Sequence, residues 1–395
     1  MDATKRKAVF ALFFLSVHAL CLTGCWDRTE VNDLAIITAA GLDLTEDQQL
    51  ELSVKIYLTS SSSTPQMGGF SSPNSGGAGL SVVRSATGLT VADAASKLQQ
   101  LISRKVFWGQ DEVFIFGERL SRQGFVEPIE FLMRHPGPRE RSNVFVSKGM
   151  AKDVLQLAPP IERSIADSLR KMAKLQTGLN ITMKELAQMM GGKAKAAVLP
   201  MVEIKPREAS QDAFAFINGS AVLKNGKMVG RMNKVATRGL MWLRDEIEYG
   251  TVTVSPENAG GNVSFQLRRS HTKLVPHIRG DDWSIEVRVE TWDDIVENAT
   301  DLDLSVPKHI EQLRTALEAD IRQRTEMALA QAQKEWNADV FQFADAFYRK
   351  YPKEWNRNKD RWDAIFPKVK VRVEARSVIS RPGLIGKSPL IPNQR

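Results

Sequence analysis

The sequence predicts an α+β fold of mixed, largely antiparallel sheets with flanking helices, arranged in two to three small domains. Three observations lead there. Several segments alternate apolar and polar residues with a period of two, the mark of half-buried strands. Between them lie stretches with capping residues and apolar positions every three or four residues, the mark of amphipathic helices. A single long helical pattern occupies the region near residues 307–350, and no repeat period runs through the chain. A length of 395 residues is enough for two or three hydrophobic cores. The mean hydropathy is slightly negative, which excludes a protein of many membrane spans.

The elements begin with a targeting segment. Lys5, Arg6 and Lys7 precede fifteen uncharged residues, AVFALFFLSVHALCL, from Ala8 to Leu22. That run is signal-sized and falls short of the roughly 20 apolar residues of a membrane-spanning helix. It ends in Leu22-Thr23-Gly24-Cys25 instead of an A-x-A-like site, which resembles the bacterial lipobox. Residues 1–24 are therefore expected to be a lipoprotein signal peptide, with Leu22, Thr23 and Gly24 as the peptidase recognition. Cys25 becomes the lipidated first residue, carrying diacylglycerol with or without an N-acyl chain. Each buried CH2 contributes roughly 0.8 kcal/mol, so one chain binds marginally and two bind stably. Cys21 and Cys25 are the only cysteines, so no disulfide framework or structural zinc site is available. The net charge of +8 favours anionic partners, but it is spread along the chain, and a solvated basic surface is the plainer reading.

Residues 35–42 and 50–58 read as strands, followed by a Ser/Gly/Pro-rich loop at 60–79 that cannot pack. Thr90 opens a helix that presents Val91, Ala95, Leu98 and Ile102 on one face. A strand at 112–117, a helix around 125–134 and a strand at 143–149 come next. A helix is expected at about 162–176, and Thr182 caps another before Gly191-Gly192. The strand AAVLPMVEI, 196–204, contains a proline and is expected at a sheet edge. A new region then starts, dividing the mature chain into 25–205 (two subdomains) and 206–395. GSAVLKNGKMVGRM, 219–232, is a hairpin turning at Asn225-Gly226. ATRGLMWLRDEIE, 236–248, is helical, and WSIEVRVETW (283–292) and VKVRVEARSVI (369–379) alternate as strands. The long pattern between them runs through Leu313, Leu317, Ile321, Trp336, Val340 and Phe347, with Pro307 suiting its start and Pro352 its end.

Catalytic signatures are missing. No G-x-S-x-G, Walker or Rossmann motif occurs. His135, His271, His277 and His309 do not combine at metal-ligand spacing. Met189-Met190-Gly191-Gly192-Lys193 lacks the following Ser/Thr of a phosphate loop. Asp293-Asp294 and Asp301-x-Asp303 lack the turn glycine of a calcium loop and read as surface carboxylates. Trp355 and Trp362 stand among basic residues but are expected to pin their segment to the core, so no nucleic-acid partner is assigned. No enzyme, metal or cofactor is expected beyond the lipid on Cys25.

Several long segments resemble the Ger(x)C family, the lipoprotein C subunits of bacterial spore germinant receptors. They are LTGCWDRTEVNDLAIITAAGLD, then LISRKVFWGQDEVFIFGERLSRQGFVEPIEFLMRHPGPRERSNVFVSKG, then GSAVLKNGKMVGRMNKVATRGLMWLRDEIEYG and DVFQFADAFYRKYPKEWNRNKDRWDAIFPKVKVRVEARSVI. The resemblance implies an α+β protein of three small domains on the outer face of the spore inner membrane. It implies partnership with membrane-embedded A and B subunits, a role in germination toward small nutrients, and no catalysis. Gln110 stands where a His is common in the family, and the 60–79 loop is particular to this chain. Direct capture of the nutrient by a solute-binding lipoprotein is the alternative. Arg104, Lys105, Trp108 and Gln110, at a helix-to-strand junction, and Arg238 are candidate partner contacts. Trp108 as core, Gly109 as turn and residues 237–239 as a helix cap explain the same positions equally well.

Overall fold

The computed structural model describes residues 30–57, 81–159, 161–175, 178–206 and 213–381, with the isolated positions 10, 11 and 13. Leu22, Thr23, Gly24 and Cys25, and the 60–79 loop, lie outside the described residues. In chain order the first region contains β1 (Leu34–Leu44), β2 (Leu50–Tyr57), β3 (Ser81–Gly88), α1 (Val91–Gln100), β4 (Lys105–Phe107) and β5 (Val113–Gly117). It continues with α2 (Glu118–Gln123), α3 (Val126–Arg134), β6 (Asn143–Ser147), α4 (Ala151–Gln156), α5 (Ile165–Lys174), α6 (Met183–Gly191) and β7 (Ala196–Pro206). The hairpin β8 (Ala213–Lys224) and β9 (Lys227–Met232) follows, then α7 (Lys234–Leu243).

These strands form one nine-stranded sheet in the order β3-β2-β1-β5-β6-β7-β8-β9, with β4 beside the first residues of β1. The flanks are antiparallel, and the centre, β1-β5-β6-β7, is parallel. Helices cover both faces of that centre, as a parallel sheet requires. Ala151, Val154, Leu155, Ile165 and Leu169 of α4 and α5 pack against Val113, Ile115, Phe145 and Val202 on one face. On the other face α1, α3, α6 and α7 join a larger core. Asp43, buried in β1, accepts hydrogen bonds from the Ala151 and Lys152 amides (2.7 and 2.9 Å) and so caps α4. The sheet runs past residue 205, since β8 and β9 pair onto β7.

Local signals explain most element starts. Thr90 accepts from the Asp93 amide, and Thr182 with Glu185 closes a reciprocal capping box. Asn225 and Gly226 adopt φ of 49° and 74°, the paired positive values of the expected two-residue turn. The proline-bearing strand differs from expectation. β7 is interior, between β6 and β8, and Pro200 sits at a register break, where pairing passes from Pro200–Ser220 to Val202–Ile217. A bulge tolerates the missing amide donor as an edge would.

The second region is a four-stranded sheet, β10 (Gly250–Val254), β11 (Val263–Arg279), β12 (Asp282–Asn298) and β13 (Lys370–Arg381), in that order. β12 and β13 are parallel neighbours, joined across a helical stretch. That stretch holds α8 (Pro307–Ala330), α9 (Phe343–Lys350), α10 (Pro352–Asn358) and α11 (Trp362–Ile365). The long helix expected near 307–350 is present as α8, with Pro307 at its start, and it divides before 343. One π-helical turn spans Gln331–Glu335, and Asn337 and Gln342 take left-handed φ of 48° and 64°. The break is stabilised by Asp339, whose carboxylate accepts from the Phe343 and Ala344 amides (3.0 and 2.8 Å) and caps α9. Trp355 and Trp362 are buried in a cluster with Trp283, Phe347 and Phe366, with Trp355–Trp362 centroids 5.2 Å apart. Packed at tilted and edge-on angles inside the protein, they present no face to a nucleic-acid base.

One hydrophobic core runs from the first sheet through α7 and α8 into the second. The helices cross closely at Gly239, where an added Cβ would stand 2.0 Å from the Arg324 carbonyl oxygen. No described helix is long and apolar enough to cross a membrane.

Candidate functional site

The junction between α1 and β4 is built by a short strap. The Gln99 amide group donates to the Arg104 carbonyl (2.9 Å), and its oxygen accepts from the Val106 amide (2.9 Å). This turn delivers Lys105–Phe107 onto the first residues of β1, in the register Leu34–Lys105, Ala35–Val106, Ile36–Phe107. On the other edge of β1, Ile36 pairs with Tyr57. The first described residues of the chain, from Glu30, therefore enter the sheet directly beside Lys105.

Trp108 and Gly109 are placed by packing. Trp108 is half-buried against the main core, and an added Cβ on Gly137 would lie 2.9 Å from its Cβ. A Cβ on Gly109 would meet the Phe107 ring at 2.5 Å, so this turn admits only glycine without displacing the ring. Beneath them Asp111 is buried and accepts from the Arg139 amide (3.1 and 3.3 Å) and the Ser142 hydroxyl (2.9 Å). Burial pushes its carboxyl above the ordinary range, and those hydrogen bonds pull the other way. Asp111 thus ties the 135–142 loop to the junction. Lys105 and Gln110 are exposed, Arg104 is half-buried, and Phe107 is 38% exposed. The run divides accordingly: Trp108 and Gly109 serve the core and the turn, and Lys105, Phe107 and Gln110 form surface.

Arg238 lies elsewhere, on α7. Its guanidinium donates to the Thr251 and Tyr249 carbonyls (3.0 and 3.4 Å) and occupies the space a side chain at Gly250 would fill. It borders a cavity of about 420 Å³ shared with Lys234, Met241, Tyr249 and Gln266. Among the described residues no carboxylate pairs with it. Burial, and then the nearby Arg324, lower its pKa, and Asp320 acts in the opposite direction.

The remaining candidates are occupied structurally. His271 Nδ1 faces Asp245 at 3.0 Å, His309 Nδ1 accepts from the Asp303 amide at 3.0 Å, and His135 Nδ1 accepts from the Gly137 amide at 3.1 Å. Among the described residues no group of His, Cys, Asp and Glu is placed to hold a metal. The expectation that Asp293 and Asp294 are surface carboxylates is corrected. Asp293 is buried and accepts from the Thr291 and Ser377 hydroxyls (2.6 and 2.8 Å), and the largely buried Asp294 pairs with Arg268 at 2.7 Å. Strict alternation would expose one of the two, but the pairing here is bulged on both sides, with Arg268 of β11 and Ser380 of β13 as the extra residues. Lys193 pairs with Asp345 at 3.2 Å and lies over the Tyr348 ring, so its glycine-flanked loop holds two regions together.

Comparison with known proteins decides the family. Residues 27–204 match the model described as the spore germination protein N-terminal domain, and residues 218–383 match that described as spore germination B3/GerAC like, C-terminal. The chain belongs to the Ger(x)C family. Its relatives include spore germination protein KC of Bacillus subtilis (strain 168), 25% identical over 96% of this chain and 97% of that one. Spore germination protein B3 of the same organism is 22% identical over 97% and 100%. Among solved structures, the crystal structure of the GerBC protein superposes with a TM-score of 0.57 at 18% identity, covering 89% of this chain and all of that one. The Ger(x)C fold is thus the mixed α+β arrangement described above. Arg238, Lys105 and Gln110 were singled out from sequence. Asp111 and the 135–142 loop were not, although an acid beside Trp-Gly-Gln before an apolar strand was a readable sign of a buried anchor.

Proposed function

We propose that this chain acts in spore germination as the lipoprotein C subunit of a nutrient germinant receptor. It is held through diacylglycerol, with or without an N-acyl chain, on Cys25 at the outer face of the spore inner membrane. It works by assembly with the membrane-embedded A and B subunits and carries out no catalysis of its own. Membership of the Ger(x)C family supports the role. The observation that supports the mode of action is the register of β1 with β4, which sets Lys105–Phe107 beside Leu34–Ile36, at the end of the sheet nearest in sequence to Cys25.

The experiment has two parts. In a strain lacking related receptors, deleting the gene abolishes germination toward one nutrient class; unchanged germination with every nutrient overturns the proposal. Cys25→Ala releases or mislocalises a protein that still folds, and unchanged membrane retention shows that the anchor lies elsewhere. A second reading, capture of the nutrient by this chain, has the Arg238 cavity in its favour, since a carboxylate would complement a cation lacking a described acidic partner. Calorimetry of the isolated chain with amino acids separates the two: heat of binding without the other subunits supports capture.

A further inference from the structure

We propose that the β2-β1-β4 end of the first sheet is a membrane-facing surface that seats against the headgroups of an anionic bilayer. The inference rests on anchoring at Cys25 and adds to it an orientation and a set of contact residues.

Chain length limits where the bilayer can be. Glu30, the start of the continuously described chain, is five steps along the chain from Cys25, and Leu34, the first residue of β1, is nine. At 3.3–3.6 Å per residue these reach at most about 18 and 32 Å. β1 itself spans eleven residues, about 35 Å, so its Leu44 end lies a further strand length away. The tether thus bounds the distance of the Leu34 end from the bilayer and leaves the Leu44 end free to lie a strand length farther out.

Its chemistry fits that place. Tyr57, Ile36 and Phe107 are register partners across three strands, so their side chains project from one face of the sheet. Tyr57 is 44% exposed and Phe107 38%, with half-buried Ile36 between them. Leu101, at the end of α1 that leads into this junction, is 62% exposed. An aromatic row of this kind suits the boundary between hydrocarbon and headgroups. Lys105 lies next to the row in β4. Arg139 and Arg141 belong to the loop that Asp111 ties to the same junction. Among the described residues neither Lys105 nor Arg141 pairs with a carboxylate. Glu30, Asp33 and Glu140 are at this end too, and the basic groups, with Arg104, outnumber them. Basic side chains near a membrane surface are drawn to anionic headgroups.

The cysteine content makes the test simple. Cys21 leaves with the signal peptide and the Cys25 thiol is consumed by lipid, so an introduced cysteine is the single free thiol. The lipid-processed full chain is reconstituted into vesicles of phosphatidylcholine and phosphatidylglycerol. It carries Lys105→Cys, Phe107→Cys, or Leu89→Cys at the far end of the sheet, beside the Leu50–Gly88 pair. Each thiol bears an environment-sensitive fluorophore. Quenching by nitroxide-labelled headgroups several-fold stronger at 105 and 107 than at 89, and weakened when phosphatidylglycerol is left out, supports the proposal. Vesicle-bound protein with equal quenching at the two ends overturns it and leaves the anchor standing. Protein that fails to bind vesicles, or a reactive thiol in the unsubstituted chain, overturns the anchor and the orientation with it. Shielding at 105 that appears only when A and B subunits are added assigns the surface to protein and overturns the lipid contact.

Discussion

Asp339 makes the stability of this protein depend on pH in a predictable direction. Its carboxyl is buried, and burial raises its pKa from an ordinary 3.8 to about 6 despite two amides that favour the charged form. Below pH 3.8 the group is protonated whether the chain is folded or not. Between 3.8 and about 6 the folded chain keeps the proton and the unfolded chain releases it, so stability falls as pH rises. Above about 6 the full penalty applies. At about 1.4 kcal/mol per tenfold change in proton affinity, it amounts to about 3 kcal/mol. Asp339→Asn has no charge to bury and retains one acceptor for the α9 amides. Denaturant unfolding of both proteins from pH 3 to 8 should show the wild type losing about 3 kcal/mol more than the variant across that range. The difference should be concentrated between pH 4 and 6.5. Parallel pH profiles would refute the assignment of a buried, proton-holding carboxyl at this helix start.

Two further substitutions test the packing between the sheets. Gly239→Ala would gain up to about 1 kcal/mol if helix propensity decided, but the new Cβ stands 2.0 Å from the Arg324 carbonyl of α8, so a net loss of about 2 kcal/mol is expected in thermal unfolding. A stabilised variant would mean that the helices do not cross so closely. Trp362→Ala removes a buried ring that contacts four aromatic neighbours and should cost about 4 kcal/mol, read as a lower denaturation midpoint; a cost under about 1 kcal/mol would contradict the cluster.

Local signals made much of this fold legible. The alternation in 283–292 and 369–379 identified β12 and β13, and the Thr90 and Thr182 caps marked helix starts, because period and capping act within a few residues. Pairing is different in kind. Nothing near Lys105 announces that it meets Leu34, or that β12 takes β13 as a parallel neighbour, since those partners are chosen by the core as a whole. The division of the long helix was hidden because Trp336, Val340 and Phe343 keep a helical spacing of apolar residues through the break. Asp339 carried the missing information, as a capping acid placed just before a second amphipathic run. At the junction, residue type alone singled out a basic and aromatic surface. Only the strand register showed that it adjoins the first residues of β1.

The place of β13 has a consequence for how the protein is made. Among the described residues it is the last strand in chain order, and it closes the sheet along eleven register pairs with β12. Until residues 370–381 have been synthesised and have paired, β12 presents a long bare edge. Products lacking residues 370–381 would keep that edge open, and they should be the species that aggregate or are degraded. Burial of the second sheet is thereby tied to the presence of residues 370–381, far in sequence from the β12 edge they cover.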